Sequence, residues 1–112
     1  FAEVMATLRR KRDEHPSQAS QIQQLADQFY QDWASIWTVD LSTSLLDIVP
    51  NQAFQHPLRA LDVLHLSAAL WLSAATRIPV TFVCSDQDLL AAARRESFPV
   101  LDPELDDPAM LA

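Results

Sequence analysis

The first third of the chain carries apolar residues at helical spacing. A stripe at i, i+3, i+4 and i+7 begins at Phe1, which predicts a helix over residues 1–14 that ends before Pro16. Ser17 is placed to cap a second helix, and the apolar stripe of that helix runs to Trp33. The chain therefore begins with two predicted amphipathic helices.

The rest of the chain alternates short apolar strands with helices. Strands are predicted at 37–41, 80–84 and 99–101, and helices at about 43–54, 58–76 and 86–95. Strands that alternate with helices predict a parallel sheet flanked by helices, which is an α/β fold. We expect one domain over residues 1–103, followed by a disordered acidic tail over residues 104–112.

Composition narrows the class of protein. A chain of 112 residues with 49% apolar residues is typical of one small folded domain. The sequence has no bilayer-spanning apolar run and no basic-then-apolar leader, so a cytoplasmic protein is expected. The net charge of −7 argues against a general nucleic-acid coat, but it allows a nuclease whose acids bind a cation. The absence of glycine excludes glycine-rich phosphate loops.

Two carboxylates stand in apolar surroundings. Asp62 lies near the start of the helix predicted at 58–76, and Asp86 follows the strand predicted at 80–84. Burying an ionised carboxylate is costly unless a cation or hydrogen-bond donors compensate it. Strand ends and the first turns of the following helices share one edge of a parallel sheet. We therefore expect Asp62 and Asp86 to converge there, together with Glu3 near the start of the first helix.

Several of these residues have structural alternatives. Ser85 and Asp88 have the spacing of a capping box, and both Asp86 and Asp88 suit a first helical turn. Asp88 is therefore a weaker candidate ligand. The basic run Arg9, Arg10, Lys11 and Arg12 ends a helix, where cations favour the helix dipole, but it could equally contact phosphates.

An oxygen-only metal site is the chemistry best matched to these residues. One cysteine and three scattered histidines do not suit zinc, whereas carboxylates suit Mg²⁺ or Mn²⁺. Such ions activate water and stabilise charge during phosphodiester cleavage. The residues thus point to metal-assisted phosphodiester hydrolysis, with a phosphatase or a DNA nuclease as open alternatives.

Two segments resemble the PIN-domain family, and within it the VapC-type toxins: Leu58-Arg-Ala-Leu-Asp62-x-x-His65-Leu and Phe82-Val-Cys-Ser85-Asp86-x-x-Leu89. The resemblance implies a three-layer α/β/α fold and a cytoplasmic endoribonuclease that is the toxin of a type II toxin–antitoxin pair. It also implies that Glu3, Asp62 and Asp86 hold Mg²⁺ or Mn²⁺, with Ser85 in a supporting position.

The chain also departs from the family's pattern in one respect. The family's first acid follows an N-terminal strand, and residues 1–112 contain no matching segment. We therefore expect an N-terminally truncated chain that lacks its first strands and one acid, and that is poorly stable or weakly active alone. The expected partners are RNA and a cognate antitoxin, with a homodimer as an open alternative. The competing hypothesis is a catalytically inactive PIN-like binding module that keeps partner or dimer surfaces.

Overall fold

A computed structural model of the chain describes residues 1–107 and 109. The described residues are 64% helix and 4% strand. The chain consists of two compact units, Phe1–Thr38 and Val39–Ala112. No helix in the described part of the chain is long and apolar enough to cross a membrane.

The first unit is a pair of helices. It contains α1 (Ala2–Glu14), a 3-10 turn (Pro16–Gln18) and α2 (Ala19–Trp33). The ring centroids of Phe1 and Trp33 are 4.9 Å apart, and Arg12 Nη1 donates to Gln23 Oε1 at 3.4 Å. The start of α1 therefore lies beside the end of α2, so the two helices are antiparallel. Neither helix has a fully buried residue, because two helices alone cover each other only in part.

The second unit holds four helices and two strands in its described part. These are α3 (Thr43–Leu46), α4 (Val49–Gln55), α5 (Ala60–Thr76), β1 (Phe82–Val83), α6 (Gln87–Arg95) and β2 (Val100–Leu101). The Ser42 hydroxyl accepts from the Leu45 N–H at 3.2 Å and so caps the start of α3. The segment predicted as one helix at 43–54 is two short helices, because the chain turns at Asp47 and Ile48.

A parallel strand pair and its connecting helix organise this unit. Phe82 of β1 lies opposite Val100 of β2, and α6 connects the two strands. The Phe82 N–H donates to the Pro99 carbonyl at 2.8 Å, and the Cys84 N–H donates to the Leu101 carbonyl at 3.2 Å. Apolar side chains of α5, α6 and the strands pack together as the core: Leu66, Phe82, Leu89, Ala92, Ala93 and Phe98.

The predicted three-layer α/β/α fold with a parallel sheet is wrong. The described residues are mostly helical and form only a two-stranded sheet. Residues 37–41 form no strand, and the Trp37 residue is 89% exposed. A strand needs a hydrogen-bonded neighbour as well as an apolar sequence, and residues 37–41 are in no ladder among the described residues. The strands predicted at 80–84 and 99–101 are reduced to two residues each.

Apart from the one at 43–54, the predicted helices are confirmed, with their ends displaced by a few residues. The helix predicted at 58–76 begins at Ala60, and the one predicted at 86–95 begins at Gln87. The predicted cap at Ser17 is wrong, because α2 begins after Gln18 without a side-chain cap. The helix α5 is capped at its carboxyl end by Arg77, whose φ of 56° is a left-handed conformation that glycine usually adopts.

Candidate acidic site at the carboxyl ends of the strands

The residues that follow β1 and β2 leave the sheet at the same edge. Cys84, Ser85 and Asp86 follow β1, and Asp102 follows β2. The two strands pair in parallel, so both chains leave the sheet at its carboxyl edge. This edge is the place where a parallel strand–helix–strand unit presents polar side chains to a ligand.

Asp86 is exposed at this edge and caps α6. Its Oδ1 accepts a hydrogen bond from the Leu89 N–H at 2.8 Å, so Asp86 is the N-cap residue of the helix. The expectation that Asp86 is a buried carboxylate in need of a cation is therefore wrong. The alternative that a residue at this position caps the helix is correct, but the capping residue is Asp86 and not Ser85. The cap uses Oδ1, and Oδ2 is available to a cation.

Asp62 is half-buried in the first turn of α5. Its side chain is 22% exposed, and its Oδ2 lies 3.8 Å from Nε of Arg59, one turn earlier. Asp62 therefore has a cationic side chain, that of Arg59, beside it. The Arg59 side chain is 89% exposed, so solvent screens this ion pair and it contributes little to stability.

Asp102 is the buried carboxylate of the edge, at 4% exposure. The Glu104 N–H donates to its Oδ1 at 3.0 Å, and Nε2 of Gln87 donates to its Oδ2 at 3.0 Å. The Glu104 N–H above all lowers the pKa of Asp102, against the opposing effect of burial. Hydrogen bonds from Ser85 and Gln87 and the charge of Arg94 lower the same pKa further.

Asp102 is not among the site residues predicted from the sequence. An acid directly after the apolar pair Val100 and Leu101 was the available signal. The Asp102 N–H also donates to Oδ2 of Asp106 at 2.8 Å, and residues 103–106 form a turn directly after Asp102. Residues 108 and 110–112 lie outside the described residues, and the predicted disorder of the tail there stays a prediction.

The pKa of the Cys84 thiol depends on the charges around it. Burial raises the pKa of its thiol, and the hydrogen bond that Sγ donates to the Asp86 carbonyl at 3.7 Å acts in the opposite direction. The negative charges of Asp86, Asp102 and Asp62 each raise the pKa of Cys84 further. Three carboxylates therefore share the electrostatic neighbourhood of one thiol. We call Asp62, Asp86 and Asp102 the acidic edge.

The acidic edge is not a closed metal cage. The described residues contain no group of three or more His, Cys, Asp or Glu side chains close enough to hold a metal ion together. Mg²⁺ commonly binds through one or two carboxylates and completes its shell with water and substrate phosphates. A pair of acids at this edge suits that mode, whereas a metal held by protein ligands alone does not fit the described residues.

The remaining predicted site residues lie in two places. Ser85 stands at the edge and donates a hydrogen bond to Asp102, whereas Asp88 is exposed in the first turn of α6. Glu3 is exposed in the first turn of α1 and belongs to the first unit. The role of Glu3 as a ligand beside Asp62 and Asp86 stays a prediction.

The basic run at the end of α1 is paired with acids of the same helix. Arg9 and Arg12 lie 3.1 and 3.3 Å from Asp13, whereas Lys11 lies 3.6 Å and Arg10 3.9 Å from Glu14. All of these side chains are at least 41% exposed, so the pairs are weak and screened. Phosphate contact by Arg9, Arg10, Lys11 and Arg12 therefore stays a prediction.

The comparisons with known proteins returned no relative. No family model, no curated protein and no solved structure matches the chain. The resemblance to the PIN-domain family therefore rests on the sequence motifs alone.

Proposed function

We propose that this chain is a Mg²⁺- or Mn²⁺-dependent ribonuclease and the toxin of a toxin–antitoxin pair. The observation that carries the proposal is the acidic edge: Asp86 and Asp102 follow the two parallel strands at their carboxyl ends, and Asp62 lies in the first turn of α5. The resemblance to PIN-type toxins supports the choice of RNA as the substrate. Asp62 and Asp86 take part in both lines of support.

The acids of this edge have different tasks in the proposal. Asp86 and Asp62 are the ligands, because they are the more accessible carboxylates. Asp102 is a positioning residue, since its oxygens already accept hydrogen bonds from Gln87 and Glu104. Its fixed negative charge strengthens the attraction of the edge for a cation.

The bound ion would supply the chemistry of phosphodiester hydrolysis. Such an ion activates water and stabilises the negative charge that develops on the phosphate. The chain's own residues hold and orient: Asp86 and Asp62 bind, and Asp102 holds the start of α6 against the end of β2. The exposed cations Arg9, Arg10, Lys11 and Arg12 are proposed phosphate contacts.

Substitutions of Asp86 and Asp62 test the proposal directly. Asp86→Asn keeps a good N-cap and removes the charge, so a loss of activity cannot be assigned to a frayed α6. We expect Asp86→Asn and Asp62→Asn each to lower Mn²⁺-dependent RNA cleavage by the full chain about 100-fold, because each removes several kcal/mol of charge stabilisation. Asp47→Asn changes an exposed acid elsewhere in the second unit and is the matched control.

The outcomes separate the alternatives. RNA cleavage that persists in a chelator, or in the Asp86→Asn variant, contradicts the proposal. Faster turnover of DNA or of a phosphomonoester than of RNA replaces it with one of the other hydrolases. Growth arrest on expression of the wild-type chain, and normal growth with Asp86→Asn, is the result expected of a toxin.

The second candidate is a binding module without catalysis. It is favoured by the lack of a three-ligand metal group among the described residues and by large exposed apolar side chains such as Phe54, at 95% exposure. This candidate predicts no metal-dependent cleavage by the wild-type chain and no effect of Asp62→Asn on growth. The same set of variants therefore decides between the two candidates.

A further inference from the structure

A second site lies at the opposite end of the strand pair. A cleft of about 480 Å³ opens at the amino end of β1 and β2, beside Val80 and Pro99. Its other walls come from the last turn of α5 and from the residues that follow α6. The acidic edge is at the carboxyl end of the same strands, so this cleft takes no part in the proposed hydrolysis.

The lining of the cleft combines one acid with apolar walls. Glu96 is the one ionisable side chain among the described lining residues. Leu70, Val80 and Phe98 are apolar lining residues, and Ser73 and Ser97 are also part of the lining. A single carboxylate with apolar surface around it suits a ligand that has a cationic head on an aliphatic stem.

A buried histidine holds the carboxylate in place. Nε2 of His56 lies 2.8 Å from Oε1 of Glu96, and the His56 side chain is only 4% exposed. Nδ1 of His56 is buried and has no hydrogen-bond partner among the described residues, so a proton there would be left unsatisfied. The Nε2–H tautomer leaves no buried donor unsatisfied, and in it Nε2 donates to Oε1 of Glu96.

Two helix ends add to the negative potential of the cleft. Ser73 and Ala74 belong to the last turns of α5, and Glu96 directly follows α6. The carboxyl end of a helix carries about half a negative charge and stabilises a cation nearby. The last turn of α6 contains Arg94 and Arg95, but both are exposed and neither is part of the described lining.

We propose that this cleft binds the side chain of a lysine from a protein partner. The ammonium group would donate to Oε2 of Glu96, because Oε1 is occupied by His56, and to the hydroxyls of Ser73 and Ser97. A guanidinium prefers both oxygens of a carboxylate, so the occupied Oε1 favours lysine over arginine. The aliphatic stem of lysine packs against Leu70 and Phe98.

The first test uses a lysine peptide as the probe. Acetyl-Leu-Lys-Leu-amide is titrated into the full 112-residue chain, and amide shifts are followed by NMR. We expect saturable shifts confined to residues 73–80 and 96–99, and none with the same peptide acetylated at the lysine amine. Binding of spermidine without the peptide would overturn the assignment to a protein partner, and absence of saturable binding would overturn the site.

Substitutions then locate the interaction. Glu96→Gln keeps an acceptor for His56 and removes the charge, so we expect peptide affinity to fall about tenfold or more. Glu104→Gln makes the same change at an exposed acid outside the cleft and should leave affinity unchanged. Equal affinity of wild type and Glu96→Gln would contradict the proposal.

A blocking pair covers the case in which Glu96→Gln fails to fold. Ala74 and Ala75 are both exposed residues of α5, but only Ala74 lines the cleft. Ala74→Leu fills the cleft and should abolish peptide binding, whereas Ala75→Leu should not. Binding that survives Ala74→Leu would place the peptide elsewhere and overturn the proposal. Activity on RNA is a separate readout, so this proposal and the proposed nuclease can fail independently.

Discussion

Nε2 of Gln87 donates to Oδ2 of Asp102 at 3.0 Å, and this hydrogen bond ties the first turn of α6 to the end of β2. The two residues are 15 positions apart in the chain. This hydrogen bond and the Asp86 cap both involve the first turn of α6, and together they hold that turn at the carboxyl edge of the strands. The stability of the edge should therefore depend on the charge of Asp102.

Asp102→Asn tests this dependence through pH. The pKa of Asp102 is lowered in the folded chain, so the carboxylate stabilises the fold above the pKa of the unfolded chain. That stabilisation is lost as the pH falls through the folded pKa. Urea denaturation should show a lower free energy of unfolding for Asp102→Asn at neutral pH, and a difference that shrinks as the pH falls below the ordinary pKa of an aspartate.

The control for Asp102 is its neighbour Glu104. The side chain of Glu104 makes none of the hydrogen bonds to Asp102, which receives only the backbone N–H of that residue. Glu104→Gln should therefore leave the pH dependence unchanged. A constant gap between wild type and Asp102→Asn from neutral to acid pH would contradict the role of the Asp102 charge.

Substitutions at Asp86 separate capping from charge. Asp86→Ala removes the acceptor for the Leu89 N–H and should lower the free energy of unfolding by about 1 kcal/mol. Asp86→Ser and Asp86→Asn keep a capping oxygen and should cost only a few tenths of that amount. Thermal denaturation of the three variants measures the difference, and equal losses in all three would rule out the cap.

The thiol of Cys84 offers a direct probe of the acidic edge. Its pKa is raised, by burial first and then by the charges of Asp86, Asp102 and Asp62. Alkylation by iodoacetamide follows the thiolate, so its pH midpoint should lie above that of a free cysteine. Asp86→Asn and Asp62→Asn should each move the midpoint down, and Asp47→Asn should not. An alkylation midpoint that does not change in Asp62→Asn would show that Asp62 is not part of the acidic edge.

The pair of His56 and Glu96 should stabilise the second unit. Glu96→Ala leaves the buried His56 without a partner for either ring nitrogen, so we expect a loss of about 1–3 kcal/mol in the free energy of unfolding. Glu96→Gln keeps an acceptor and should lose less. The two variants are compared by urea denaturation, and a larger loss for Gln than for Ala would contradict the hydrogen-bond argument.

The packing of the core of the second unit can be tested by comparing a buried and an exposed leucine of the same helix. Leu66 of α5 is fully buried, so Leu66→Ala should lower the free energy of unfolding by about 2–5 kcal/mol through lost burial and the cavity left behind. Leu61 lies on the same helix at 54% exposure, and Leu61→Ala should cost under about 1 kcal/mol. Similar losses for both would show that α5 is not packed as described.

The helices could be predicted from sequence because their signals are local. Apolar spacing, Pro16 and the residues near the helix ends all act within a few positions, and the helices appear close to their predicted bounds. The strands could not be predicted, because a ladder depends on partners far along the chain. Residues 37–41 have a strand-like composition but pair with nothing among the described residues.

The candidate site shows the same limit at the level of single residues. Asp62 and Asp86 were singled out as buried carboxylates, yet one is half-buried beside Arg59 and the other is an exposed cap. The carboxylate that is buried is Asp102, and it accepts a hydrogen bond from Gln87. No local pattern reports a contact across 15 residues. For Asp86, the correct part of the prediction is its position after the end of a strand.

Because β1 is short, the charges at the two ends of the strand pair are close enough to interact electrostatically through the solvent. From Val80 to Cys84 an extended chain covers about 13 Å. The Debye length is about 30 Å at 0.01 M salt and about 8 Å at 0.15 M. In dilute buffer Glu96 and the acidic edge therefore lie in one continuous field, where a cation at either end weakens the attraction at the other. At physiological ionic strength they act independently, so salt concentration sets whether this small unit has one charged surface or two.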